Sequence, residues 1–206
     1  MSKTTKKFIE SHWLTFALKG AISVIASMCL MFTGGGDTEL LIQVVGWTMI
    51  GLGAIELANM IHRSHKQHNW GFPLFLGLLE IAIAISLLVT TWPSIGSSDL
   101  IWLRIAILSG YVLFASLVTI LIGFGSFTNM TDRFMWVVNG MLGAILAFVM
   151  LPGSAYNPTA HISFFGVYLL VNGLTDLFFG VHSRDQALEA KAQRAAKRKA
   201  SLRGRK

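Results

Sequence analysis

Six stretches of this chain are almost continuously apolar, with polar or turn-forming residues between them: Trp13–Phe32, Leu40–Ile61, Phe72–Trp92, Leu100–Gly123, Phe134–Leu151 and Ile162–Val181. A helix rises about 1.5 Å per residue, so about 20 apolar residues cross a hydrocarbon core of about 30 Å. The fifth stretch is the shortest, and Pro152 and Gly153 close it. Gly34-Gly35-Gly36-Asp37, Pro93 to Asp99 and Pro152 to Pro158 supply breakers that end one helix and turn the chain toward the next. The runs do not alternate between apolar and polar, which argues against a closed β-barrel. The expected fold is therefore all-α, a polytopic membrane bundle of six transmembrane helices. Residues 1–12 form a cytoplasmic N-terminal segment, 13–182 the membrane domain, and 183–206 a basic cytoplasmic tail. The first stretch lacks a small-residue cleavage site and five more follow it, so a span is expected and not a cleaved signal peptide.

Composition agrees. Of 206 residues, 53% are hydrophobic and 13% charged, where soluble domains carry about a quarter charged residues. The net charge of +7 is not spread over the chain, because nine of the 17 Lys and Arg residues lie beyond Val181. Lys3, Lys6 and Lys7 precede the first span, Arg63 and Lys66 follow the second, and Arg133 precedes the fifth. The alternate connections contain only Asp37, Glu39 and Asp99 as charged residues. Lys and Arg collect on the cytoplasmic side of membrane proteins, so both termini are expected inside. Trp13, Trp70, Trp92 and Trp102 fall near span ends, where an interfacial aromatic belt belongs. Cys29, the single cysteine, rules out an intrachain disulfide and a cysteine metal cluster.

The chain also resembles itself. Displaced by 120 residues, Gly20 falls on Gly140, Gly46 on Gly166, Gly53 on Gly173, Glu56 on Asp176, Leu57 on Leu177 and His62 on His182. A displacement of 57 lays Trp70 on Trp13, Gly77 on Gly20 and Gly110 on Gly53, with Leu103 and Leu113 where the other copies have Gly46 and Glu56. Three copies of one helix hairpin are expected, at about 13–61, 70–123 and 134–181. In the second helix of the first and third copies, Gly-x6-Gly-x2-acid places all three positions within one face less than about 90° wide. Gly20, Gly46, Gly53, Gly77, Gly140, Gly166 and Gly173 are expected to let helix backbones approach closely.

Five ionisable residues lie inside the spans: Lys19, Glu56, Glu80, Arg104 and Asp176. Each costs a few kcal/mol near the bilayer centre, so each is expected to have a partner or a purpose. Lys19, Glu56, Glu80 and Asp176 fall in the inner half and form a candidate polar site, joined by Asn59, Asn139 and Asn172. One outcome is a proton- or cation-responsive cluster; the other is a structural pairing of Lys19 with Glu56 across the first hairpin. Arg104 is outer and positioned to snorkel to the surface. His62, His65 and His68, with His12 and His182 near the same face, are expected to be solvated; His161 alone faces the exterior.

The pattern resembles the HdeD-like acid-resistance membrane proteins of bacteria. The matching features are Gly20, Gly77 and Gly140, Trp92-Pro93 and Pro152, and the second-helix residues Gly46, Gly53, Glu56, Leu57, Gly166, Gly173, Asp176 and Leu177, over roughly Trp13 to His182. Two departures are Gly34-Gly35-Gly36 in place of a proline and a middle copy without the acid. The resemblance implies a bacterial inner-membrane protein of acid or stress resistance, acting through membrane association or assembly. The alternative is a small proton- or solute-conducting transporter or channel using the intramembrane acids. No catalytic signature is present, so no enzyme, cofactor or metal is expected. The partners expected are the lipid bilayer, anionic lipids at the basic tail and a homo-oligomer. The tail lacks aromatic interleaving, which argues against nucleic acid.

Overall fold

Hydrocarbon offers no hydrogen bonds, so apolar runs of this length satisfy their backbone internally as helices. The computed structural model describes residues 3–32, 38–64, 71–89, 98–126, 130–151 and 158–203, and these are helical except for Leu151. The helices are α1 (Lys3–Phe32), α2 (Thr38–Ser64), α3 (Gly71–Val89), α4 (Ser98–Ser126), α5 (Met130–Met150) and α6 (Pro158–Arg203). Five are long and apolar enough to cross a membrane: Trp13–Phe32, Thr38–Asn59, Ile101–Gly125, Arg133–Met150 and Thr159–His182. The remaining helix, α3, has 19 residues and so rises about 28 Å, with Leu74–Val89 as its apolar part. The end of the span expected to reach Trp92 lies outside the described residues, as do Gly34-Gly35-Gly36-Asp37.

Three helix starts differ from expectation. Ser98 and Asp99, expected in a turn, form the first turn of α4. Pro158 opens α6, a position where its missing N–H costs nothing. At the N-terminus, α1 starts at Lys3, ten residues before its apolar part. At the other terminus α6 runs on for 21 residues beyond His182, the continuation that the Ala-, Lys- and Arg-rich sequence of the tail admits, about 31 Å of additional helix.

The tight helix pairs are not the expected hairpins. Helix α1 packs chiefly on α6, α2 on α3 and α4 on α5, while contact within α1–α2, α5–α6 and especially α3–α4 is slighter. Each tight pair joins the second helix of one expected copy to the first helix of the next, and α1–α6 closes the ring. Glycine explains the choice. A Cβ at Gly20 would sit 2.6 Å from the Gly173 carbonyl oxygen, and one at Gly77 3.0 Å from that of Gly53. One at Gly140 would sit 2.7 Å from the carbonyl oxygen of Ser116. At these three crossings backbone touches backbone, the arrangement by which membrane helices gain packing energy. The pairs are antiparallel. Gly180 meets Ala17 and Trp13 at one end of α1, and Gly166 meets Leu30 and Ser27 at the other. The start of α1 and the membrane exit of α6 therefore share one end of the bundle.

This packing corrects the register of the middle copy. Gly110, expected to match Gly53, is exposed and has nothing within 4 Å of where its Cβ would be. Ser116 takes that place, 63 residues after Gly53, just as Gly140 lies 63 after Gly77. Ile120 then corresponds to Leu57 and Leu177, all three lying beside the facing glycine. Gly77 and Ser116 are 39 residues apart, whereas Gly20 and Gly53, and Gly140 and Gly173, are 33 apart, a difference of six that an ungapped displacement hides.

A buried apolar core fills the end of the bundle away from the termini. Leu30 of α1, Val45 of α2, Leu87 of α3, Leu108 of α4, Met150 of α5 and Phe165 of α6 meet there.

A candidate polar site within the bundle

Lys19 sits one residue before the Gly20 crossing and Glu56 three residues after Gly53, so both lie at the level where the tight pairs touch. The Lys19 ammonium meets Glu56 Oε1 at 2.5 Å, with about a fifth and a seventh of the two side chains exposed. Lys19 also acts electrostatically on Glu80 and Asp176. The four expected residues thus converge from α1, α2, α3 and α6, although Lys19 bonds only Glu56 directly.

Glu80 is the most enclosed of the four, at 4% exposure. Its Oε1 accepts a hydrogen bond from the Tyr111 hydroxyl at 2.8 Å, and its buried Oε2 has no hydrogen-bond partner. The three asparagines fall into two separate contacts. Asn139 donates to Asn172 Oδ1 at 2.6 Å, and Thr15 donates to Asn59 Oδ1 at 2.8 Å.

Sequence reasoning missed Tyr111 and Tyr168, which are both buried. Tyr111 holds Glu80, while Tyr168 hydrogen-bonds Asn172 and acts electrostatically with Glu80, Lys19 and Asp176. The tyrosines lie 57 residues apart, in corresponding positions of α4 and α6 once Ser116 is aligned with Gly173. The signal was available only in that corrected register, because an ungapped displacement pairs Tyr111 with Ala54.

Arg104 corrects an expectation. It is 7% exposed and does not snorkel to the surface, and Glu39 acts on it electrostatically at the end of the bundle away from the termini. His161, expected to face the exterior, is likewise buried at 7% exposure, with its ring edge-on to Trp102 and Phe164. His65 and His68 lie outside the described residues. His182 is exposed and stacks on Phe178.

The site carries one ammonium against three carboxylates in a part of the chain that lipid surrounds. Two carboxylates therefore exceed the available internal cation, and one excess acid, Glu80, keeps an oxygen unbonded. At the end of the bundle away from the termini, Ile42, Val45, Leu87, Ile105, Leu108 and Ile162 line a small pocket together with Arg104. No group of His, Cys, Asp and Glu among the described residues is arranged to hold a metal ion.

Residues 18–89 match a family model described as a short repeat of unknown function, DUF308. The match takes in most of the apolar part of α1, all of α2 and α3, and with them Lys19, Glu56 and Glu80, but not Asp176. No curated protein and no solved structure matches the chain.

Proposed function

We propose that this multi-pass membrane protein is a non-enzymatic component of acid or stress resistance in a bacterial inner membrane, with both termini cytoplasmic. The observation that carries this reading is the charge imbalance around Lys19, with Glu56, Glu80 and Asp176 packed in one half of the bundle. A cluster with excess carboxylates inside lipid takes its missing positive charge from the aqueous phase on its own side, as protons or cations. The protein thereby couples the composition of the cytoplasm to its own packing. The apolar core at the other end supports a responsive element over an open path. The repeat match over residues 18–89 and the resemblance to the HdeD-like proteins are consistent with this role. The basic tail, continuing α6 into the cytoplasm, adds attraction to anionic lipid of about 1 kcal/mol per charge near the surface.

The test is survival of acid challenge in cells carrying Glu56→Gln or Asp176→Asn. Lost protection at unchanged membrane abundance is the expected result; protection that falls only in proportion to abundance refutes it. The unbonded oxygen of Glu80 favours a second reading, a carrier that moves protons or a small solute past the acids. Purified protein in liposomes with an enclosed pH-sensitive dye separates the two. Acid-driven flux that disappears in Glu56→Gln supports the carrier; no flux alongside intact protection in cells supports the resistance role.

A further inference from the structure

Helix α2 presents lipid with a face unlike that of any other helix. Its exposed positions within the span beyond the first turn are Gln43, Trp47, Ala54 and Ala58, which at 100° per residue fall within about 60° of one another. Gln43 lies five residues inside the span that begins at Thr38, about 7 Å deep. Among the described residues it is the one exposed side chain with an amide or a charge more than a turn inside a span. Its amide has no hydrogen-bond partner there either. Trp47 is 65% exposed and about 13 Å from the same end, near mid-bilayer, whereas lipid-facing tryptophan belongs at the interface. The corresponding face of α3, by contrast, shows Phe75, Leu78, Ala82, Ile85 and Val89. An unpartnered amide in hydrocarbon is costly, so three features of one face disagree with lipid as its neighbour: the amide, the mid-depth indole and the small residues.

We propose that this face of α2 is the contact between two copies of the chain. Copies inserted with the same orientation relate by a twofold axis along the membrane normal, so α2 meets its counterpart in parallel and each residue faces its own equivalent. A glutamine amide contains a donor and an acceptor, which makes Gln43 self-complementary in that geometry: each amide donates to the other. Ala54 and Ala58 let the two backbones approach, and Trp47 packs on the neighbouring helix. The contact leaves the Lys19 cluster and the tight intrachain pairs untouched. It rests on the membrane-spanning architecture and not on the resistance role, so its failure leaves that role standing and the converse also holds.

The test uses full-length protein in native membranes, in a Cys29→Ser background, with one cysteine introduced per variant. Ala54→Cys is expected to give a disulfide-linked dimer under mild oxidation, and Ala82→Cys on α3 to remain monomeric. In liposomes, Gln43→Leu removes two reciprocal bonds and is expected to weaken dimerisation about tenfold by energy transfer between labelled copies. The thermal midpoint of the separated monomer stays unchanged. Equal crosslinking from Ala54→Cys and Ala82→Cys overturns the proposal. So does absence of a dimer from Ala54→Cys, or unaltered association in Gln43→Leu.

Discussion

Replacing Gly20 by alanine tests the packing of the bundle with a single methyl group. The new Cβ would lie 2.6 Å from the Gly173 carbonyl oxygen and 2.7 Å from both Cγ and the backbone nitrogen of Leu177. Ordinary contact begins near 3.4 Å, so α1 and α6 must part by about 0.8 Å. Two of the three obstructing atoms are backbone and cannot rotate aside. Overpacking of this kind costs about 1–3 kcal/mol, and the separation also weakens Cα–H···O contacts of about 0.5–1 kcal/mol each. Alanine returns up to about 1 kcal/mol through helix propensity, leaving a net loss of about 2 kcal/mol. For a chain of this size that lowers the midpoint by about 4–8 °C. Gly110→Ala is the matched control, since nothing lies within 4 Å of its Cβ position. It keeps the propensity gain without the collision, and the midpoint rises by about 2–4 °C. Thermal unfolding of both variants in one detergent, followed by intrinsic fluorescence, measures the pair. Shifts of the same sign and size refute the close crossing of α1 and α6, as does a Gly20→Ala protein as stable as the parent.

Tyr111→Phe strips Glu80 of the one hydrogen bond it has among the described residues and is expected to cost about 1–3 kcal/mol, while Tyr111→Phe with Glu80→Leu recovers most of that loss in the same unfolding assay. Lys19→Met leaves three carboxylates without their ammonium and is expected to destabilise more than Glu56→Gln, which removes one acid and leaves Lys19 two others; equal losses would show that Lys19 serves Glu56 alone. A Cβ at Gly143 would lie 3.0 Å from the Tyr168 ring and closer still to Ser116 Oγ. Gly143→Ala therefore destabilises, and Ser116→Gly in the same chain relieves part of the loss, a non-additivity that a double-mutant cycle reads directly. A fluorescent protein fused after Lys206 is expected to fold and emit, and alkaline phosphatase at the same place to stay inactive; the reverse result removes the cytoplasmic assignment of the tail.

Local chemistry alone determined which segments are spans, which charges are stranded within them and on which end the basic residues collect. Bilayer thickness and the cost of charge in lipid act on each segment independently, so Trp13–Phe32 or Lys19 needs no knowledge of its neighbours. Partner choice was a different matter. Gly20 and Gly173 are 153 residues apart, and no local pattern says that α1 closes on α6 in preference to its hairpin partner α2. The register of the middle copy stayed hidden because Ser116 does a glycine's work in α4, and a six-residue difference in the spacing from Gly77 to Ser116 displaced every equivalence after it. Tyr111 and Tyr168 escaped notice for the same reason: an apolar helix accommodates a tyrosine in many places, and only three-dimensional packing brings these two hydroxyls to Glu80 and Asn172. Arg104 was placed correctly along its span and wrongly in its surroundings, because depth follows from counting residues while burial depends on which helices close over the side chain.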